Sequence, residues 1–292
     1  MTDSVSELRR LASLAGQLAD GLTTLANAPQ DPQVTIPPAT ALAKPGVLLN
    51  IGGRPGQNHF QLDIGRSGDK SITTKTPAQL ATYSEAPYFY TVGREALFGV
   101  RVDGPTTPGS KNPRSELREL GPDGAKYAFN PFTGDNYLSA RSRPIHLPAV
   151  KPSVVFGQLH SDTDDVTELA VQPRADYTST GKLEVVCRIN GTSVGLPKLV
   201  ADYRIGDELW WMIRVGAAGW QIYLGDMETP VITSAQAGRP KLATAGKVCY
   251  FKAGAYLQTN LAIERDATAY GLVGVRDLRH WHTGWPTPAV AA

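Results

Sequence analysis

The sequence predicts an all-β protein, a sandwich or jelly roll of antiparallel strands, and three observations carry that expectation. Turn formers are frequent: 29 Gly and 22 Pro punctuate many short runs containing Val, Ile and aromatic residues, the composition of strands joined by turns. Hairpins can be read directly. ELWWMIRVGAAGWQIYLGD sets two aromatic-rich runs about a Gly-containing turn, and LEVVCRINGTSVGL holds the turn pair Asn190 and Gly191 between two β-prone runs. Finally, there is no long alternation of strands with helices and no fixed-period repeat, which argues against a doubly wound sheet or a propeller.

Each segment follows from its own pattern. Residues 1–28 read as an amphipathic helix, with Leu8, Leu11, Ala15, Leu18, Leu22 and Leu25 at alternating spacings of three and four. A seam of this length over residues 4–27 serves either a homo-oligomeric coiled coil or a lone helix packed on its own domain. Residues 29–46 carry Pro29, Pro32, Pro37, Pro38 and Pro45, which obstruct a helix and favour an extended linker. The β domain is expected over 47–285, and the tail 286–292 is expected to fray.

Bulk composition narrows the partners. With 41% hydrophobic and 19% charged residues, the chain can bury a large core. The 29 basic and 27 acidic side chains leave a formal charge of +2, too near balance to imply nucleic acid or an anionic membrane. No apolar run is long enough to span a bilayer, and no standard secretory signal is read at the N-terminus. Cys187 and Cys249 lack the close spacing of a zinc site and lie in strand-like runs, which fits buried packing, although one disulfide between them is open at this stage. His59, His146, His280 and His282 form no metal-ligand constellation, so neither a metal nor a cofactor is expected; HWH alternates as a strand would and suits a structural or rim role.

Three strands carry chemically equipped faces. In YFKAGAYLQ, alternation puts Tyr250, Lys252, Gly254, Tyr256 and Gln258 on one side and Phe251, Ala253, Ala255 and Leu257 on the other. In NPRSELRE, Arg114, Glu116 and Arg118 share a side opposite Ser115, Leu117 and Glu119. In SVVFGQLHSD, Gln158 and His160 share a side, with Leu159 pointing away together with Val155. One polar face is an ordinary solvated surface. Three faces built of guanidinium, amide, imidazole, ammonium and phenol suit an anionic sugar chain, because Arg binds carboxylates bidentately and Tyr offers both a ring and a donor.

These segments resemble the motif strands of polysaccharide lyase family 7, the alginate lyase 2 superfamily, whose motifs R-(S/T)-E-(L/V)-R, Q-(I/V)-H and YFKAGxYxQ occur in that order. Here they are RSELR at 114–118, QLH at 158–160 and YFKAGAYLQ at 250–258, and the likeness spans roughly residues 47–285. The resemblance implies a β-jelly roll with a concave substrate groove, acting on an anionic polysaccharide by β-elimination and leaving a 4,5-unsaturated uronate. By motif position it implies that Arg114, Gln158, His160 and Tyr256 are catalytic, and that Lys252 lies beside them. The middle position of the second motif, usually Val or Ile and tracking mannuronate or guluronate preference, is Leu159, which leaves glucuronan open beside alginate.

The chemistry supports the same residues. Removing the C5 proton beside a carboxylate builds a second negative charge, which Arg114 and Gln158 could stabilise. His160 suits the base and Tyr256 the acid that protonates the departing O4; a same-side elimination would use Tyr256 for both. Glu116 reads as a clamp for Arg114 and Arg118 rather than an acid catalyst. Lys252, Gln258 and Arg118 are expected to contact sugar carboxylates or hydroxyls, with Glu116 beside them in substrate binding. Rival readings are a non-catalytic carbohydrate-binding jelly roll and a glycoside hydrolase. The latter needs two flanking carboxyl groups, for which the acids of DTDD at 162–165 read as an exposed loop. A leaderless seam, a proline-rich connector and a polysaccharide-cleaving domain would also suit a secreted or virion-associated tail depolymerase.

Overall fold

The computed structural model describes residues 43–52, 54, 56–162, 165–174, 183–188, 198–237 and 248–285. The N-terminal seam at 4–27, the linker up to residue 42, the Asn190 and Gly191 turn and the tail 286–292 lie outside the described residues.

Strands dominate, arranged in two antiparallel sheets. The first has eight strands in the order β10 (Lys198–Tyr203), β9 (Leu183–Arg188), β8 (Asp165–Pro173), β7 (Val154–Ser161), β14 (Cys249–Leu257), β5 (Arg114–Glu119), β1 (Phe60–Ile64) and β2 (Thr73–Lys75). The second runs β13 (Ile232–Thr233), β12 (Gly219–Leu224), β11 (Leu209–Gly216), β6 (Asp135–His146), β15 (Tyr270–His282), β4 (Glu95–Arg101) and β3 (Phe89–Val92). The hairpin expected from ELWWMIRVGAAGWQIYLGD is present: β11 and β12 pair from Trp211 opposite Leu224 down to Gly216 opposite Gly219. Helix is confined, among the described residues, to single turns at α1 (Pro45–Leu48), α2 (Pro77–Leu80) and α3 (Leu261–Glu264). None of these helices is long and apolar enough to cross a membrane.

The end of the proline-rich segment departs from an extended connector. Pro45 opens α1, where its missing N–H is no loss and its fixed φ already suits a helix, and both Pro45 and Gly46 are buried.

Alternation explains the core. Phe60, Leu62 and Ile64 of β1, Leu117 of β5, Phe156 and Leu159 of β7 and Phe251, Ala253, Ala255 and Leu257 of β14 turn inward. They join Phe98, Leu138, Trp211, Ile213, Val273 and Val275 from the second sheet in one buried cluster. Burying an aromatic or aliphatic side chain of this kind contributes about 1.5–3 kcal/mol, so these faces fix which residues are left to point outward. The two cysteines are buried thiols with no bond between them. They lie on β9 and β14 with β8 and β7 between, three strand spacings of about 4.8 Å each and beyond disulfide reach.

Strand β7 breaks its own alternation. Its register shifts against β8 between Val155 and Gly157, so Phe156 and Gly157 successively face the core. Val155 consequently lies not with Leu159, as simple alternation predicts, but in a separate cluster with Ala170, Val186 and Tyr256. Gly157 makes this possible. A Cβ there would stand 2.6 Å from Trp211 Cη2 and 2.9 Å from its Cζ3, and the indole is tethered through Nε1, which donates to Ser142 Oγ at 2.9 Å.

Gly157→Ala should therefore destabilise the fold by about 1–3 kcal/mol, the usual range for overpacking a filled core. The check is urea denaturation of both proteins, and an unchanged midpoint would contradict the tight contact.

Candidate active site

Sheet order converts three distant sequence motifs into one surface. β7, β14 and β5 are consecutive neighbours, and Lys252 pairs with Gln158 on one side and Arg118 on the other. Tyr256 stands opposite Arg114, and Tyr250 opposite His160. Because paired residues share a face, outward side chains from each of the three strands meet at one groove of about 630 Å³. Arg114, Arg118, His160, Tyr250, Lys252 and Tyr256 all line it.

Glu116 lies under the groove and organises it. It is only 2% exposed, and three side chains converge on it. Arg114 Nη1 donates to Oε2 at 2.9 Å, Lys252 Nζ lies 2.8 Å from the same oxygen, and Gln158 Nε2 donates to Oε1. Burial opposes the carboxylate's charge, but Lys252 and Arg114 together with the Gln158 hydrogen bond prevail and hold its pKa below the ordinary value. The expected partnership with Arg118 is absent from this set: Arg118 Nη1 donates to the Glu119 carbonyl at 2.9 Å, and its guanidinium lies 4.1 Å from the centre of the Tyr250 ring.

Tyr256 and Arg114 form a second unit. The guanidinium sits 4.1 Å from the Tyr256 ring centre, and Ser110 Oγ lies 3.1 Å from both the phenol oxygen and Arg114 Nη2. Burial raises the Tyr256 pKa further than the Ser110 hydrogen bond and the Arg114 charge lower it, so the phenol keeps its proton at neutral pH.

His160 is held at both nitrogens. Nδ1 faces the Ser161 carbonyl. Nε2 lies 3.1 Å from Asp165 Oδ1, and the ring stacks on Tyr250 with centroids 5.0 Å apart. Burial works against the Asp165 charge, yet the hydrogen bond and attraction from His160 keep its pKa below the ordinary range.

Two side chains depart from expectation. Gln258 is not among the groove-lining residues; its Oε1 accepts from Arg188 Nη1 at 2.7 Å. Gln158 is likewise fully buried and not among them. Leu159 points into the core, as alternation predicts, so its identity reaches the groove only through the backbone of β7. The acids of DTDD are likewise not just an exposed loop, since Asp162 and Asp165 both line the groove. Asp165 opens β8 and pairs opposite His160, a return that alternation within one strand could not reveal. Ser110 was equally hidden, its only signal being proximity in sequence to RSELR. His280 and His282 are buried structural groups: Nδ1 of each faces an amide oxygen, of Asn58 and Asn136 respectively, and His282 Nε2 pairs with Glu119. Among the described residues, no group of three or more His, Cys, Asp or Glu side chains is placed to hold a metal.

Removing the Glu116 charge should strand two buried cations. Glu116→Gln is expected to destabilise by about 3–5 kcal/mol in denaturant titrations at pH 7, and a change below about 1 kcal/mol would contradict the clamp. The sign with pH follows from the lowered pKa. The carboxylate's contribution is fully present above its ordinary value of 4.5 and is lost as pH falls through the folded value, so this acid-side loss should shrink in Glu116→Gln.

The sequence profile described as alginate lyase matches residues 57–282. A search of curated proteins returned no match. Among solved structures, an alginate lyase of polysaccharide lyase family 7 is 26% identical, with a TM-score of 0.68 over 83% of this chain and 99% of that one. The alginate lyase from Corynebacterium sp. is also 26% identical, with a TM-score of 0.64 over 77% and 94%. One from Pseudomonas aeruginosa shares the fold at 24% identity, with a TM-score of 0.60 over 77% and 98%. A match covering most of the chain, on a jelly-roll sandwich with this groove, shows that the chain belongs to the alginate lyase family and is a polysaccharide lyase.

Proposed function

We propose that the chain depolymerises alginate by β-elimination at a uronate ring seated over Arg114, Gln158, His160 and Tyr256. The observation that carries this reading is the convergence of Arg114 and the buried Gln158 amide on Glu116, beside a groove lined by Arg114, the His160 imidazole and the protonated Tyr256 phenol. Arg114 and Gln158 offer N–H donors to the sugar carboxylate. As the C5 proton leaves, charge accumulates on that carboxylate, and donors already fixed by Glu116 stabilise it without reorganising. Such donors are typically worth about 10²- to 10³-fold in rate each.

His160 takes the C5 proton, and the imidazolium so formed stands beside the Asp165 carboxylate, whose Oδ1 lies 3.1 Å from Nε2 and favours the charged ring. The C5 electron pair forms the C4=C5 double bond, the bond from C4 to O4 breaks, and Tyr256 delivers its proton to the departing oxygen. Its raised pKa suits this task, because the phenol must be protonated before turnover. Lys252, Arg118 and Tyr250 extend the lining to neighbouring sugars. Lys252 is held on Glu116 at 2.8 Å.

Glucuronan is the second reading, favoured by Leu159 at the position where the family usually carries Val or Ile. Incubation with polymannuronate, polyguluronate, glucuronan and hyaluronan, followed by ultraviolet absorbance of the new double bond, distinguishes the two. Growth on the alginate blocks is expected. Reducing ends appearing without absorbance would sink the lyase chemistry, and growth on glucuronan alone would reassign the polymer. In the same assay Tyr256→Phe should lower kcat by about 10²- to 10⁴-fold while leaving oligosaccharide binding near wild type; unchanged kcat would remove Tyr256 from the mechanism.

A further inference from the structure

Behind the groove-lining residues, the polar row that crosses the sheet at Lys252 and Gln158 continues onto strands no motif covers. Gln158 pairs with Glu168 on β8, and Glu168 pairs with Arg188 on β9. Both Gln158 and Glu168 are sealed from solvent, at 0% and 1% exposure. The Gln158 amide is oriented by Glu116, which as an ionised carboxylate can only accept and therefore takes Nε2. That leaves Gln158 Oε1 needing a donor. Among the described residues it has no hydrogen-bond partner, and neither has Glu168 Oε2. Two buried acceptors left so on neighbouring residues are each costly, and one proton between them satisfies both.

Lys252 is committed to Glu116. Arg188 Nη1 donates to Gln258 Oε1 at 2.7 Å and approaches Glu168 Oε2 only to 3.6 Å.

We infer that Glu168 stands as a neutral carboxylic acid whose O–H donates to Gln158 Oε1, making it a positioning residue for the lyase reaction. This inference rests on the role given above to Gln158. The hydrogen bond fixes the amide at its second end, so that one N–H stays on Glu116 and the other is left for the reacting uronate. It also draws electron density from the amide, which makes that N–H a stronger donor to the developing enolate. Glu168 touches no substrate.

The surroundings favour the acid form below about pH 7. Burial and the charges of Asp165 on the same strand and Glu116 on β5 raise the Glu168 pKa, Arg188 on β9 and Lys252 on β14 lower it, and the balance puts it at about 7. His160, on β7, is paired to Asp165 and presents no unpaired charge to Glu168. Glu168 should therefore lose its proton, and Gln158 its second anchor, as pH rises through about 7.

The test follows the Gln158 side-chain NH₂ resonances by ¹H–¹⁵N NMR from pH 5.5 to 8.5, the pair being identified by its loss in Gln158→Glu. In the wild-type protein they should shift with a midpoint near that of Glu168, and in Glu168→Gln, which keeps a neutral donor, that titration should vanish. In parallel, kcat of the wild-type enzyme should fall on the alkaline side through the same midpoint, and Glu168→Gln should lack that limb. Glu168→Leu should lower kcat about tenfold at pH 6 with KM within about twofold. A Gln158 resonance pair that does not titrate in the wild type, or that titrates equally in Glu168→Gln, overturns the inference even if lyase activity is intact. Wild-type kcat in a Glu168→Leu protein that melts normally does the same. Conversely, a Gln158 titration tied to Glu168 in a protein that degrades no polyuronate supports the hydrogen bond and overturns the functional reading instead.

Discussion

Glu116 has almost no access to water, yet it remains ionised because two cations and an amide surround it, each from a different part of the chain. Moving an isolated carboxylate into such surroundings costs several kcal/mol even after relaxation, so the charge persists only while its partners stay in place. Arg114 lies two residues away on the same strand, Gln158 on β7 and Lys252 on β14. The groove floor therefore holds its shape for an electrostatic reason. If any partner retreats, the remaining charges lose their compensation, and that penalty keeps donors aimed outward without substrate being present to order them.

This arrangement also divides labour among similar groups. Arg114 is spent partly on Glu116 and partly on Ser110, with its flat face against Tyr256. Arg118, one pleat along, is instead anchored to a backbone carbonyl and Tyr250. Two guanidinium groups on one strand face thus meet different surroundings, one desolvated over a clamped carboxylate and one nearer water. Tyr250 and Tyr256 differ in the same way, the first supporting an imidazole and an arginine, the second holding a proton beside a hydroxyl.

Much of this could be read from residue order, and the limits have physical causes. Inward and outward assignment for RSELR and YFKAGAYLQ needs only the two-residue period of a strand, so Phe251, Ala253 and Leu117 could be assigned to the core and Arg114 and Tyr256 to the face. Which strands lie side by side is different. It depends on long-range pairing, and only the order of β7, β14 and β5 makes those faces one. Asp165 escaped because it returns opposite His160 from the next strand, and Gln258 was misjudged because Arg188 reaches it from β9. The phase change in β7 was invisible for a subtler reason: nothing in VVFGQLH marks Gly157 as a second core-facing residue until the indole of Trp211 is seen against it.

That last contact ties the groove to the far side of the molecule. Trp211 belongs to the opposite sheet, and the flat ring it presses on Gly157 determines where the next residue, Gln158, emerges. Evolution of the outer layer is consequently not free of the chemistry on the inner one. A relative that drifts at Trp211 or its Ser142 tether would need to rebuild the backbone under its amide donor, whereas drift at the exposed edge strands carries no such debt.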